Sequence, residues 1–268
     1  MPRPRKIRTE TNLTSRPDAF LTSLNAGLLH AATPKSTQIY DMIRDGIVHL
    51  QLPPGATINE KEICDRLSVS RTPLREALLQ LATENLVTIV PSTGTRVAPI
   101  HVQDAFDGQL VRDALEARVV RLAATRLTPA GEQSLTANMQ AQRDAAALHN
   151  ETAFYRLDEE FHRLICSYGA SPHVWRIING AKAQLDRIRR LDLSRSNQEG
   201  RLLAQHQAIF DALMQRDSER AVQSMRIHLN LVFETIRSLI IEHREYFSDD
   251  TSEVLSRLNV PQHLTSGP

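Results

Sequence analysis

Four side chains have the types and spacing to hold a metal ion. Asp158 and His162 are at i,i+4 in a stretch with helical apolar spacing, so they share one face a turn apart. His206 and His228 lie equally far before and after Asp217, where two further helical stretches meet. In an antiparallel helical hairpin, residues equidistant from the turn sit at the same level, so the two imidazoles can face each other. If the helix of Asp158 packs on that hairpin, one carboxylate and three imidazoles converge inside a helical bundle, a common home for metal sites. That donor set suits Zn²⁺ first, with Ni²⁺, Mn²⁺ or Fe²⁺ as alternatives. Spacing alone leaves a plainer reading open. An Asp–His pair at i,i+4 is common on helices, and a single buried His needs no ion. Four protein donors would leave coordination positions for a small carboxylate. Arg112 is the candidate to pair with it through its fork of donors. The alternative for Arg112 is a salt bridge with Glu116, one turn away.

A second group of residues could meet DNA. Ser70, Arg71, Thr72 and Arg75 open a short helix. A helix N-terminus offers free N–H groups to phosphate. Arginine can reach guanine O6 and N7 in the major groove, and Ser or Thr can take a phosphate or a base. Leu74, Ala77, Leu78 and Leu81 fall on the opposite face and should pack inward. Arg96, beside Gly94, puts a cation on a β-hairpin. An ordinary solvated Arg71/Arg75 face is the alternative. Residues 37–100 hold Arg44, Lys61, Arg66, Arg71, Arg75 and Arg96 against Asp41, Asp45, Glu60, Glu62, Asp65, Glu76 and Glu84. The segment is therefore not basic overall, and affinity for DNA must come from local placement, from the preceding tail or from doubling in a dimer.

The elements that would position these groups follow from apolar period, caps and breakers. Ile39, Ile43, Ile47 and Leu50 mark a helix over 37–50, stopped by Pro53, Pro54 and Gly55. Asn59 caps a short helix to Leu67, with Glu60 and Glu62 in its first turn. Ser70 caps a third over 71–84, which tolerates Pro73 in its first turn. Residues 86–90 and 95–98 form a hairpin with its tip at 91–94. Six helices should follow, over 104–126, 129–148, 151–168, 172–193, 199–215 and 218–243, with short antiparallel connections. The fold expected is mainly α: an N-terminal winged helix–turn–helix of three helices plus a β-hairpin wing over 37–100, joined to an all-α bundle over 101–245. Residues 246–268 read as a tail with one short helix near 252–258. Residues 1–36 read as a flexible basic tail, with Arg3, Arg5, Lys6, Arg8, Arg16 and Lys35 against Glu10 and Asp18, and with a weak helical patch at 21–29. That tail is either disordered or a basic arm adding phosphate contacts.

Composition excludes several classes. The 268 residues carry 32 Lys and Arg against 31 Asp and Glu, a net charge of +1, so no overall field points to a polyanion or a membrane. Apolar residues make up 41% and aromatics only 4%, which favours helices over a β-sandwich. No apolar run is long enough to span a bilayer, and no signal-peptide core follows the basic N-terminus. Cys64 and Cys166 cannot make a disulfide framework, so a cytoplasmic protein with both cysteines as small buried hydrophobes is expected.

Residues 39–97 resemble the GntR family of bacterial transcription regulators. The resemblance rests on Leu52-Pro53-Pro54-Gly55, on Ile58-Asn59-Glu60-Lys61-Glu62-Ile63, and on the run Val69-Ser70-Arg71-Thr72-Pro73-Leu74-Arg75-Glu76-Ala77-Leu78, through to Gly94. It implies that Arg71 and Arg75 read bases and that Ser70 and Thr72 touch phosphate. It also places Lys61 where it can touch DNA and Gly94 at the wing tip. Asn85 stands where the family usually has Gly, and should end the third helix in a left-handed conformation. Residues 104–240 resemble the effector domain of the FadR subfamily, the FCD domain. The matching pieces are Val111-Arg112 with Leu115-Glu116, Asp158 with Phe161-His162, His206 with Ile209-Phe210-Asp211-Ala212, and Asp217 with Ala221, Met225 and His228-Leu229. Metal-binding members carry the same Asp and three His. In some, the metal holds ligand; in others it is structural.

The resemblance implies a homodimeric repressor that binds a pseudo-palindromic operator and answers to a small organic acid. A regulator that senses the metal itself is the runner-up. A metal-dependent hydrolase or oxygenase would need a general base, and Glu159 and Glu160 are expected to point away from Asp158 into solvent. No enzyme activity is expected.

Overall fold

The structure, a computed structural model, describes residues 17–193 and 198–257. The chain divides into two compact units, with the boundary after Ala98.

The first unit is built on three helices, α2 (Lys35–Val48), α3 (Glu60–Leu67) and α4 (Arg71–Thr83). Ile39, Ile43 and Ile47 of α2, Ile63 and Leu67 of α3, and Leu74, Leu78 and Leu81 of α4 are buried in one core. The Asn59 side chain caps α3 by accepting from the Glu62 N–H at 3.2 Å. Ser68, at φ 52°, turns the chain into α4. Ser70 holds the N-cap position of α4, but its hydroxyl makes no capping bond, which departs from the capping expected. Asn85 closes α4 at φ 54°, in the left-handed conformation. The sheet has three strands in the order β1-β3-β2, all antiparallel: β1 (Thr57–Ile58), β2 (Val87–Val90) and β3 (Gly94–Val97). The two-residue β1 has too short a pattern to be read from sequence.

The flexible tail over 1–36 needs correction where it is described. A short helix α1 (Pro17–Ser23) docks with Phe20 and Leu21 buried, and Leu24 follows them into the core. Residues 1–16 lie outside the described residues.

The second unit is all helical among the described residues. Its centre is α5 (Val102–Arg126), packed against α7 (Glu151–Gly169), α8 (Pro172–Ala181), α9 (Ala183–Leu193), α10 (Gln198–Met214) and α11 (Ser218–Asn230); α6 (Pro129–Ala147) packs on α7 and α10, and α12 (Val232–Glu242) packs on α9 and α11. The core is built on Val120, Ala123, Leu135, Met139, Phe161, Ile165, Ile209, Leu213 and Met225. Two helices expected to be continuous are broken. The 172–193 helix breaks at Lys182, where the chain meets α5 so closely that a Cβ on Gly108 would lie 2.2 Å from the Ala181 carbonyl oxygen. The 218–243 helix breaks at Leu231. Gln109 Nε2 donates to the Leu229 carbonyl at 2.8 Å, and Leu231 N bonds back to His228 O at 3.2 Å, which tightens the turn.

The short helix expected near 252–258 is present as α13 (Thr251–Arg257), but the looseness of the tail is corrected within the described residues: Phe247 is buried and bridges Ile100, Ile100 N donates to Tyr246 O at 2.7 Å, and α13 buries Val254 and Leu255. Cys166 is buried as expected, whereas Cys64 is only half-buried.

Candidate metal centre and DNA-facing helix

Helices α7, α10 and α11 bring Asp158, His162, His206 and His228 together. One donor atom from each lies within 4.8 Å of the others, and all four residues are buried. Amphipathic spacing turns Asp158 and His162 inward beside Phe161 and Ile165. Asp217 caps α11 by accepting from Arg220 N at 3.0 Å and so fixes the α10–α11 hairpin. Across that hairpin the His206 and His228 rings have centroids 4.6 Å apart. Phe161 stacks on His206 at 4.7 Å and limits its tilt.

Each imidazole is oriented through its Nδ1. That of His162 meets Glu116 Oε2 at 2.5 Å, that of His206 meets Gln142 Oε1 at 2.6 Å, and that of His228 meets Gln205 Oε1 at 3.2 Å. With Nδ1 turned to an oxygen acceptor, Nε2 carries the lone pair. The Nε2 atoms of His162 and His228 are 3.0 Å apart. His206 Nε2 and Asp158 Oδ1 are 3.2 Å apart without hydrogen-bond alignment, and both are buried without a hydrogen-bond partner among the described residues. Two buried orphans among four convergent donors fit the donor set of a divalent cation.

The electrostatics agree. Burial first, then the neighbouring imidazoles, hold His228 well below its ordinary value. Burial also lowers His206, against the opposing pull of Asp158. Both rings are therefore neutral, as ligation requires. Burial alone would raise Asp158, but the Arg189 guanidinium outweighs it and holds the carboxyl well below the ordinary range. Glu116 behaves alike: Arg112 and His162 overcome burial and keep it ionised.

A depressed His releases its proton on folding, so the unfolded chain binds more protons as pH falls below 6.5, the ordinary value of both rings. The metal-free protein should hold its full stability from these rings above that pH and lose it below. The carboxylates would act only nearer pH 4. Urea unfolding at pH 7.5 and 5.5 should show the loss already at 5.5. Equal midpoints would contradict it.

Arg112 is buried and donates Nε to Glu116 Oε1 at 2.7 Å, so the salt-bridge alternative is realised. It also lines a cavity of about 20 Å³ with Arg189, Asp192, Leu202, His228 and Val232. Sequence reading missed Arg189, which donates to Asp158 Oδ2 at 2.6 Å. Glu159, expected in solvent, turns inward to Lys182 at 2.6 Å and Arg189 at 3.3 Å, because these two buried cations need acidic partners. Glu160 pairs with Arg163 at the surface, as expected.

Gln142 and Gln205 were also missed. Gln142 had a signal: with Asn138, to which it donates at 2.7 Å, it sits on the buried stripe of α6 between Leu135 and Ala145. Gln142→Leu should weaken metal binding about 10- to 100-fold by freeing the His206 ring. Competition with a chromogenic chelator would measure this, and wild-type affinity would remove Gln142 from the role.

In the first unit, Ser70, Arg71, Thr72 and Arg75 are exposed along the start of α4. Lys61 is exposed at the start of α3. Gly94 sits at φ 94° where the hairpin turns, a conformation that favours glycine. Arg96 is exposed on β3, but its Nη1 donates to Gly55 O at 3.3 Å, so it lies along the sheet rather than reaching from the tip.

Three helices, an exposed Arg-bearing third helix and a β-wing define a winged helix–turn–helix DNA-binding protein, here with an all-helical partner unit. Residues 35–97 match the gntR family of bacterial regulatory proteins, and residues 109–231 match the FCD domain. The HTH-type transcriptional repressor RspR of Escherichia coli (strain K12) is 34% identical over 222 residues, covering 83% of this chain and 97% of that protein. The Nta operon transcriptional regulator of Aminobacter aminovorans is 29% identical, covering 70% and 87%. Among solved structures, E. coli McbR/YncC shares the fold, with a TM-score of 0.67 at 19% identity, covering 79% of this chain and 99% of that one. The chain belongs to the GntR family of transcription regulators, with an FCD domain of the FadR-type subfamily. It is a regulator and not an enzyme.

Proposed function

We propose that the protein is a homodimeric repressor, working in the cytoplasm, whose grip on operator DNA is set by a small carboxylate bound beside a divalent metal. The observation that carries this reading is the buried Asp158, His162, His206 and His228 cluster with a cavity and two arginines at its edge. These four residues would hold the ion, Zn²⁺ first among the candidates. When bound, it supplies a Lewis-acidic centre with positions left for a carboxylate. The name of the E. coli relative supports repression.

Arg112 is the proposed partner of the effector carboxylate, with Arg189 beside it. The cavity holds about one water, so an acid could enter only if Arg112 and its neighbours shift. Arg112 would then trade Glu116 for the effector, and Glu116 also orients His162. That relay links effector, ligand shell and the broken α11–α12 helix. The effector must favour one conformation over the other, since equal affinity shifts nothing.

Arg71 and Arg75 are proposed to read bases. Lys61, Ser70 and Thr72 would take phosphate, and Gly94 and Arg96 would approach the backbone at the wing. Leu110 on α5 and Ile227 on α11 are 71% and 58% exposed on neighbouring helices, which suits coverage by a second copy.

A panel of carboxylic acids screened by thermal shift on Zn²⁺-loaded protein tests the reading. A binding acid should stabilise wild type, fail to stabilise Arg112→Ala, and change affinity for selected operator DNA. Equal stabilisation of both proteins would remove Arg112. Acid-independent DNA binding, with metal-dependent binding instead, would favour the metal-sensing alternative.

A further inference from the structure

The chain has no slack where the first unit ends. Ala98, the last residue of that unit, is tied into it, its N–H donating to the Leu86 carbonyl at 3.0 Å. Pro99 and Ile100, the next two residues, are already held by the second unit. Arg187 Nη1 donates to the Pro99 carbonyl at 3.3 Å. Ile100 is buried, its N–H donates to Tyr246 O at 2.7 Å, and its carbonyl accepts from Ser248 N at 3.1 Å. The proline ring fixes one of the two soft torsions at this joint.

Both holds on the joint lead back to the effector cavity. Arg187 lies on α9 and is fully buried, and its Nη1 also donates to Gln184 Oε1 at 2.9 Å. Burial pushes its guanidinium down to about 9, so it remains a cation and a strong donor at neutral pH. Two residues on, the same helix presents Arg189, which donates to Asp158 Oδ2 at 2.6 Å and lines the cavity together with Asp192. Residues two apart face nearly opposite sides of a helix, so α9 stands between cavity and joint. The other hold, at 246–248, follows α12, whose Val232 lines the same cavity and which packs on α9. At about 20 Å³ the cavity is too small for an acid, so occupancy must displace its walls. A helix of 11 residues moves as one piece, and a shift of Arg189 is then a shift of Arg187.

We propose that Arg187 is the positioning residue that passes effector binding from α9 to Pro99 and, through the chain, to the DNA-binding unit. The proposal rests on the effector reading above and deepens it. Arg187 lies outside both the cavity wall and the four-residue cluster, so its loss should separate binding from response.

Acetate, lactate, malonate and succinate are the probes. Zn²⁺-loaded wild type, Arg187→Met and Arg187→Lys are compared for metal content, for thermal shift with each acid, and for affinity to selected operator DNA with and without it. Replacing a buried charged group by an apolar one of similar volume is often tolerated, so Arg187→Met should fold. Wild type should change its operator affinity by about 5- to 150-fold with the acid that stabilises it. Arg187→Met should keep its metal and its thermal shift but change operator affinity by less than about twofold, since binding remains while coupling is lost. Arg187→Lys keeps a donor for the Pro99 carbonyl and should recover part of the response. Insertion of two glycines between Ala98 and Pro99 leaves α9 untouched and should abolish the response likewise, which carries the test if Arg187→Met does not fold. A wild-type response in Arg187→Met or in the insertion variant would overturn the proposal. A response in Arg187→Lys no larger than in Arg187→Met would overturn the hydrogen bond as the link. A wild type that none of the acids stabilises, or whose operator affinity ignores them all, would overturn the effector reading itself, and this proposal with it.

Discussion

Replacing Arg71 with alanine is expected to reduce discrimination between operator and random DNA about 10- to 100-fold per half-site, while binding to random DNA changes little. A bidentate arginine–guanine contact carries about 1–3 kcal/mol of discrimination. Arg71 is the first residue of α4 and is exposed, so its loss should leave the fold intact. The operator can be selected from a random duplex pool and then competed against its scrambled sequence at fixed salt. Lys61→Ala provides the contrast. A phosphate contact should weaken both duplexes alike and lower the salt slope by about 1. An unchanged operator-to-random ratio in Arg71→Ala would end its base-reading role.

The second large effect is on stability. Glu116 is buried between Arg112 and His162, and its carboxylate accepts from both. Glu116→Ala strands the Arg112 guanidinium in the interior and frees the His162 ring. Removing one partner of a buried ion pair costs about 3–5 kcal/mol. The expected fall in Tm is on the order of 10 °C. Glu116→Gln keeps a hydrogen-bond acceptor for Arg112 and should fall less while still weakening the metal. Calorimetry with and without added Zn²⁺ separates the two terms. A Glu116→Ala protein as stable as wild type would mean that Arg112 finds another partner, and the relay from effector to ligand shell would fail.

Much of this architecture was legible in the chain because it rests on local signals. The period of Ile39, Ile43 and Ile47, the Asn59 cap and Asn85 in its left-handed turn each act within a few residues. The convergence of His206 and His228 was legible from their equal distance to the Asp217 turn. What escaped depends on other elements. The breaks at Lys182 and Leu231 are imposed by Gly108 and Gln109 of α5, far away in sequence. The docking of α1 needs Phe20 to find the missing side chain of Gly46. Glu159 turns inward because Lys182 and Arg189 are buried beside it, which no helical wheel of α7 reveals. The partners of the imidazoles escaped because the buried stripe of α6 marks Gln142 as inward but not what it faces, and Gln205 looks like a solvated helix residue until the neighbouring helix is in place.

Elemental analysis of the purified full-length protein, beside an Asp158→Ala/His162→Ala variant, tests the central claim most directly. About one divalent metal per chain in wild type and almost none in the variant is the result expected. No metal in either protein, even after reloading with Zn²⁺, Ni²⁺ and Mn²⁺, would contradict it. The four residues would then be a buried polar cluster, and the carboxylate site beside them would lose its foundation.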